Sequence, residues 1–117
     1  MNTIDCSSIG IKKALWFLLG THKLELNASF GLALKRLRSH KKLTQEDFSS
    51  ISSRTYLSTL ERGLKSPTLE KIDQLAEILG VHPITMLAEA YLIKDMAADC
   101  ESLLERLRSE LDSLPTR

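Results

Sequence analysis

The sequence predicts an all-α protein, and three observations carry that expectation. Apolar residues make up 43% of the chain but aromatics only 5%, with leucine supplying most of the apolar content. That balance suits helix packing better than a sheet built from β-branched and aromatic side chains. Between positions 29 and 114 the apolar residues recur at spacings of three and four, the period of one helix face. Capping residues punctuate these runs, with Ser or Thr before them and Gly after them. A chain of 117 residues suffices for one domain and a short appendage.

Residues 1–27 read as an N-terminal extension. Ile9 to Leu19 fit a short amphipathic helix ending at Gly20. It either packs on the domain or makes a dimer contact, because Trp16 and Phe17 are costly to leave exposed. The run ALWFLLG at 14–20 is the most apolar in the chain. It is too short to span a membrane, and no small-residue cleavage site follows it. A cytoplasmic protein with reduced thiols and no membrane partner is therefore expected.

Residues 28–91 read as a five-helix domain. Ser29 is the expected N-cap of a first helix that buries Phe30, Ala33, Leu34 and Leu37. Thr44 and Asp47 resemble a capping box for a second helix with Phe48 and Ile51 as its apolar contacts, short because Ser52 and Ser53 interrupt it. Ser53 caps a third helix, RTYLSTLER, with Leu57 and Leu60 inward and Gly63 as a left-handed terminator. Thr68 caps a fourth, striped by Leu69, Ile72, Leu75, Ala76 and Leu79 and closed by Gly80. His82 and Pro83 open a fifth, with Pro at its first helical position.

Neither Gly nor Pro occurs from 84 to 114, so either one long helix runs there or two meet near 90–94. Residues 92–117 read as a C-terminal amphipathic helix. Ile93, Ala97, Cys100, Leu104, Leu107, Leu111 and Leu114 alternate by four and three, the spacing of a two-stranded seam. Homodimerisation through that seam is expected, with packing on the chain's own domain as the alternative.

The net charge of +1 conceals an asymmetry. From Lys35 to Lys65 there are eight Lys or Arg against three acids. From Asp95 to Asp112 there are six acids against two arginines. A basic middle segment beside an acidic end points to a polyanion partner for the middle. Cys6 and Cys100 are too far apart to suggest a disulfide framework, and His22, His40 and His82 lack metal-ligand spacing. No nucleophile–base–orienter set and no phosphate-binding loop occurs, so neither enzyme, metal nor cofactor is expected.

Two short helices joined by a tight turn in a basic segment suggest a helix-turn-helix. The residues LKRLRSHKKLTQEDF…SSRTYLSTLERGLKSPTLEKIDQLAEILGVHP sharpen this. They resemble the Xre/Cro-repressor family of helix-turn-helix domains over roughly 29–90, most specifically in LTQED at 43–47, LERG at 60–63, SPTLEKI at 66–72 and LGV at 79–81. The resemblance implies a lambda-repressor-like five-helix fold whose third helix lies in the major groove of double-stranded DNA. Arg54, Thr55, Ser58 and Thr59 then match the base-reading side, with Arg54 able to bond guanine O6 and N7 together. Thr44, Gln45, Ser53, Tyr56, Arg62, Lys65 and Ser66 match positions that meet phosphates. For Tyr56 the competing reading is packing against the second helix. Arg38 and Glu61 match a structural ion pair that holds the first helix to the third.

One departure stands out. Members of the family commonly have about two more residues between the glutamine and the glutamate, and a glycine in the turn. Here Gln45 and Glu61 are sixteen apart and the turn is ISS. The register of Arg54 and Thr55 at the groove is the point this puts in question. The function implied is a transcriptional regulator, most simply a repressor, binding a palindromic operator as a homodimer. The alternative is a protein-interaction module, an antitoxin or anti-repressor with a protein partner, acting through its terminal helices.

Overall fold

The computed structural model describes residues 25–96 and 98–116. The helix expected over 9–19 and the seam residue Ala97 lie outside them. Among the described residues there are only helices and the turns between them. The element order is α1 (Leu26–His40), a 3₁₀ helix (Gln45–Phe48), α2 (Arg54–Glu61), α3 (Leu69–Leu79), α4 (Pro83–Lys94) and α5 (Cys100–Asp112). Leu24–Lys94 form one compact unit, and α5 belongs to another.

α1 starts earlier than its sequence suggests. Its N-cap is Glu25, and Ser29 lies inside the helix, fully buried. The Ser29 hydroxyl donates to the Glu25 carbonyl at 3.1 Å, one turn back. A serine bonded this way can enter a helix interior, because its polar group needs no other partner. Phe30, Ala33 and Leu34 face the core, and Leu37 packs at its edge. Gly31 shares the buried side. A Cβ there would sit 2.5 Å from the carbonyl oxygens of both Leu60 and Glu61, so glycine is what lets α1 lie against the end of α2.

The second helical element is a single four-residue 3₁₀ turn. Asp47 Oδ2 accepts from the Thr44 N–H at 2.7 Å, the carboxylate half of a capping box. Phe48 is fully buried and anchors the turn to the core. The ISS connection needs no glycine, because its backbone stays out of the left-handed region. Among the described residues the only positive-φ non-glycine is Lys42, in the turn after α1. The Ile51 and Ser52 N–H groups both close onto the Phe48 carbonyl. Lys71 reaches across from α3 to donate its Nζ to the Ile51 carbonyl. The shortened turn is thus held from both sides.

Ser53 caps α2 by accepting the Tyr56 N–H at 3.0 Å. At the other end, the Gly63 N–H meets the Leu60 carbonyl and the Leu64 N–H meets that of Thr59, each at 3.0 Å, with Gly63 at φ 76°. This pair of bonds is a Schellman motif. Thr68 caps α3 through the Lys71 N–H, and Gly80 at φ 72° ends it. His82 Nδ1 accepts the Ile84 N–H at the start of α4. α3 and α4 meet at 103°, and no single described helix is long and apolar enough to cross a membrane. Leu57 and Leu60 meet Ile72, Leu75, Ala76 and Leu79 of α3 and Met86 and Ala90 of α4 in one core.

Of the two arrangements the sequence allows after Pro83, the structure has two helices. α4 ends at Lys94, and α5 restarts behind Asp99, whose Oδ1 accepts the Ser102 N–H at 2.7 Å. Ile93 belongs to α4 and packs on the domain core, and Cys100, Leu104, Leu107 and Leu111 belong to α5.

Candidate nucleic-acid interface

α2 divides cleanly into two sides. Leu57 and Leu60 are fully buried, and Tyr56 and Glu61 flank them half-buried. Arg54, Thr55 and Arg62 are exposed and Ser58 and Thr59 half-exposed, together forming the opposite side. The hydroxyl of Thr59 donates back to the Thr55 and Tyr56 carbonyls at 2.9 and 2.7 Å. What Thr59 offers outward is therefore its methyl group and its oxygen lone pairs. Thr55 is not so engaged. Ser58 adds little bulk between Arg54 and Arg62, so a neighbouring surface can approach the helix closely.

Arg38 and Glu61 meet in a two-pronged bond, Nε to Oε2 at 2.6 Å and Nη2 to Oε1 at 3.0 Å. Their side chains are only 15% and 5% exposed. Arg38 also donates through Nη1 to the Leu43 carbonyl at 3.1 Å, so it holds α1, the turn after it and α2 together. The bond to Glu61 raises the Arg38 pKa above its usual value, against the desolvation that lowers it. This guanidinium is committed within the fold.

Gln45 joins the same group, its Nε2 donating to Glu61 Oε1 at 3.1 Å. One amide N–H is used there and the other is left for an outside acceptor. Nothing in the spacing of the sequence signals this link, since it depends on how the 3₁₀ helix docks against α2. Thr44, Gln45, Glu46, Arg38 and Arg54 line an open cleft of about 520 Å³ between the 3₁₀ helix and the start of α2. Glu46, which sequence reasoning passes over, pairs with Arg54 there, Oε1 to Nη1 at 3.3 Å.

Tyr56 packs at the core edge, and the Nζ atoms of Lys65 and Lys71 each lie 5.8 Å from its ring centroid. Each ammonium group over the ring is a cation–π contact. Lys65 and Ser66 are exposed in the segment after α2, beside Arg62. Ser53 keeps its hydroxyl hydrogen free while its oxygen caps the helix. The structure brings Thr44, Gln45, Ser53 and Arg54 to one end of α2 and Arg62, Lys65 and Ser66 to the other.

A buried-and-exposed helix of this kind, held at a fixed angle behind a short helical turn, is the arrangement of a helix-turn-helix. The family model described as Helix-turn-helix matches residues 34–85. Over 65 residues the chain is 38% identical to an uncharacterized HTH-type transcriptional regulator, y4dJ, of Sinorhizobium fredii (strain NBRC 101917 / NGR234), covering 54% of this chain and 84% of that protein. The chain belongs to the Xre-like helix-turn-helix family. This is a family of DNA-binding transcriptional regulators. A second relative of this helix-turn-helix chain is the immunity repressor protein of Bacillus phage phi105, 32% identical over 78 residues, of which the chain spans 54%. Among solved structures, the clp gene regulator ClgR from Corynebacterium glutamicum matches with a TM-score of 0.58 and 29% identity, covering 77% of this chain and 94% of that one.

Proposed function

We propose that this helix-turn-helix chain is a cytoplasmic, sequence-specific DNA-binding regulator, most simply a repressor, that binds a palindromic operator as a homodimer. The observation that carries the reading is the outer side of α2. Arg54, Thr55, Ser58 and Thr59 lie opposite the buried Leu57 and Leu60, on a helix fixed at both ends by caps. A guanidinium at the start of such a helix can reach a base edge in the major groove, and small residues behind it allow close approach.

The phosphate contacts follow from what flanks that side. Thr44, Gln45 and Ser53 meet the backbone at one end of α2, Arg62, Lys65 and Ser66 meet it at the other, and Tyr56 meets it beside Lys65. Residues 28–91 carry DNA binding. Residues 92–117 carry self-association, through Cys100, Leu104, Leu107 and Leu111 of α5 together with Ile93 and Ala97. A dimer sets two half-sites about one helical turn apart and makes the operator symmetric. The similarity to a phage immunity repressor supports a repressing role.

Selection of bound sequences from random DNA tests the whole reading. The expected result is a two-fold symmetric motif with half-sites about 10 base pairs apart. Binding to that motif should weaken steeply as salt rises, because phosphate contacts release counterions. A chain that enriches no motif, or whose binding is flat with salt, is not a sequence-specific DNA-binding regulator.

A further inference from the structure

We propose that Glu46 sets the base preference of Arg54, by holding its guanidinium across the groove-facing side and away from the phosphates. The inference rests on the DNA-binding reading above. Arg54 is the first residue of α2, and Glu46 is the second residue of the 3₁₀ helix, so their bond spans the two arms of the helix-turn-helix on its open side.

Fold stability does not explain the pair. Both side chains are 73% exposed, and exposed ion pairs contribute little. The placement is informative for two other reasons. A cation at the first position of a helix faces the positive end of the helix dipole, and the first turn of α2 contains no acid to offset it. Glu46 supplies that negative charge from the neighbouring element. In addition, a carboxylate on a surface that faces a polyanion works against binding. Glu46 also lies in the first turn of its own 3₁₀ helix, where an acid is favourable, but its bond to Arg54 gives it a second effect, on what that guanidinium can reach.

An unrestrained arginine has a long, freely rotating stem, and phosphates lie on both sides of the groove. Left alone, Arg54 would bond whichever phosphate is near, on any sequence. Tied by one Nη1 donor to Glu46, it keeps its other N–H donors for a base edge that presents two acceptors in line, as guanine does. The carboxylate also repels the phosphates that would otherwise compete. Glu46 therefore acts through Arg54, trading general affinity for discrimination.

The test is site selection and salt-dependent binding with the full chain and its Glu46→Ala, Glu46→Gln, Arg54→Ala and doubly substituted variants. Glu46→Ala should bind random DNA more tightly and lose preference at the base pair that Arg54 reads by about tenfold, the usual worth of one bidentate contact. Glu46→Gln, which keeps an acceptor, should retain more of that preference. In the Arg54→Ala background, removing Glu46 should leave the preference at that base pair unchanged. If Glu46→Ala keeps the full preference while Arg54→Ala loses it, the role given to Glu46 is overturned and base reading by Arg54 stands. If the double variant loses preference beyond Arg54→Ala, Glu46 reads a base itself and the positioning role is overturned. If Arg54→Ala keeps the preference, or the native chain enriches no motif, the DNA-binding reading beneath fails. Unfolding temperatures within a few degrees of the native chain show that the fold is intact.

Discussion

α2 and α5 are both amphipathic helices with leucines at three- and four-residue spacing, yet the structure treats them differently. In α2, Leu57 and Leu60 are fully buried and every exposed position is polar. In α5 no residue is fully buried, and Leu104 and Leu111 are 52% and 55% exposed. Periodicity reports that a helix has an apolar side. It does not report what covers that side. In α2 the cover is the helices before and after it in the same domain. For α5 the cover proposed above is a second copy of the chain.

Truncating leucines in the two helices separates these cases most widely. Leu57→Ala opens a cavity in a closed core and should cost about 3–5 kcal/mol, read by denaturant unfolding. Leu104→Ala should leave domain stability within about 0.5 kcal/mol, as for a surface substitution. Its effect should appear instead as weaker self-association in sedimentation, as should deletion of residues 95–117. An equally dimeric deletion variant would move the interface to the domain or to residues 1–27. A Leu104→Ala variant as destabilised as Leu57→Ala would make α5 part of the domain's own core.

The next effect lies within the domain, at the bond between α1 and α2. Arg38→Ala strands the Glu61 carboxylate, 5% exposed, with Gln45 as its remaining side-chain partner. A loss of about 3 kcal/mol is expected, toward the lower end for breaking a buried pair. Glu61→Ala should cost less, because Arg38 is the more exposed partner and keeps its bond to the Leu43 carbonyl. Chemical denaturation of both variants checks the order, and the reverse order would mean that Arg38 is the more deeply trapped charge.

Gly31→Ala should cost about 1–3 kcal/mol, in the range of overpacking. The added methyl meets backbone, the Leu60 and Glu61 carbonyls, which cannot rotate away. Helix propensity alone predicts the opposite sign, since alanine is the better helix former. Thermal unfolding decides between them, and a stabilised variant would show that α1 and α2 have room to separate.

These contrasts mark what could be read from the sequence. The caps at Ser53, Thr68, Gly63 and Gly80 were legible because each depends on chemistry within a few residues. The start of α1 lies before Ser29, and the sequence points to Ser29 for a related reason. Serine before an apolar run reads as a cap, and only the packed structure shows its hydroxyl turned back on Glu25. The lack of Gly or Pro after Pro83 leaves one helix or two equally open, and the choice of two rests on a cap, the Asp99 carboxylate on the Ser102 N–H. Gly31, the Gln45–Glu61 bond and the Glu46–Arg54 pair had no local signal, because each needs two elements to meet. Which residues lie on the outer side of α2 follows from helical period, but what Arg54 bonds there does not.

The smallest effect distinguishes the caps of the two regions by pH. Ser53 and Thr68 cap α2 and α3 with hydroxyls that do not titrate, whereas Asp99 caps α5 with a carboxylate. The Ser102 N–H bond holds the Asp99 pKa below its ordinary value of 3.8. A carboxylate lowered in the folded state contributes stability that is present above the unfolded pKa and is lost as pH falls through the folded one. Acidification below about pH 4 should therefore loosen the first turn of α5 before it touches the caps of α2 or α3. Followed by NMR, the Ser102 amide should titrate with a midpoint below 3.8, while the amides of Tyr56 and Lys71 stay flat over the same range. Asp99→Asn keeps a capping oxygen without a charge to lose, and should abolish the Ser102 titration with α5 still formed. A Ser102 midpoint at or above the ordinary aspartate value would mean that the cap is not made in solution, and α5 would then begin beyond Cys100.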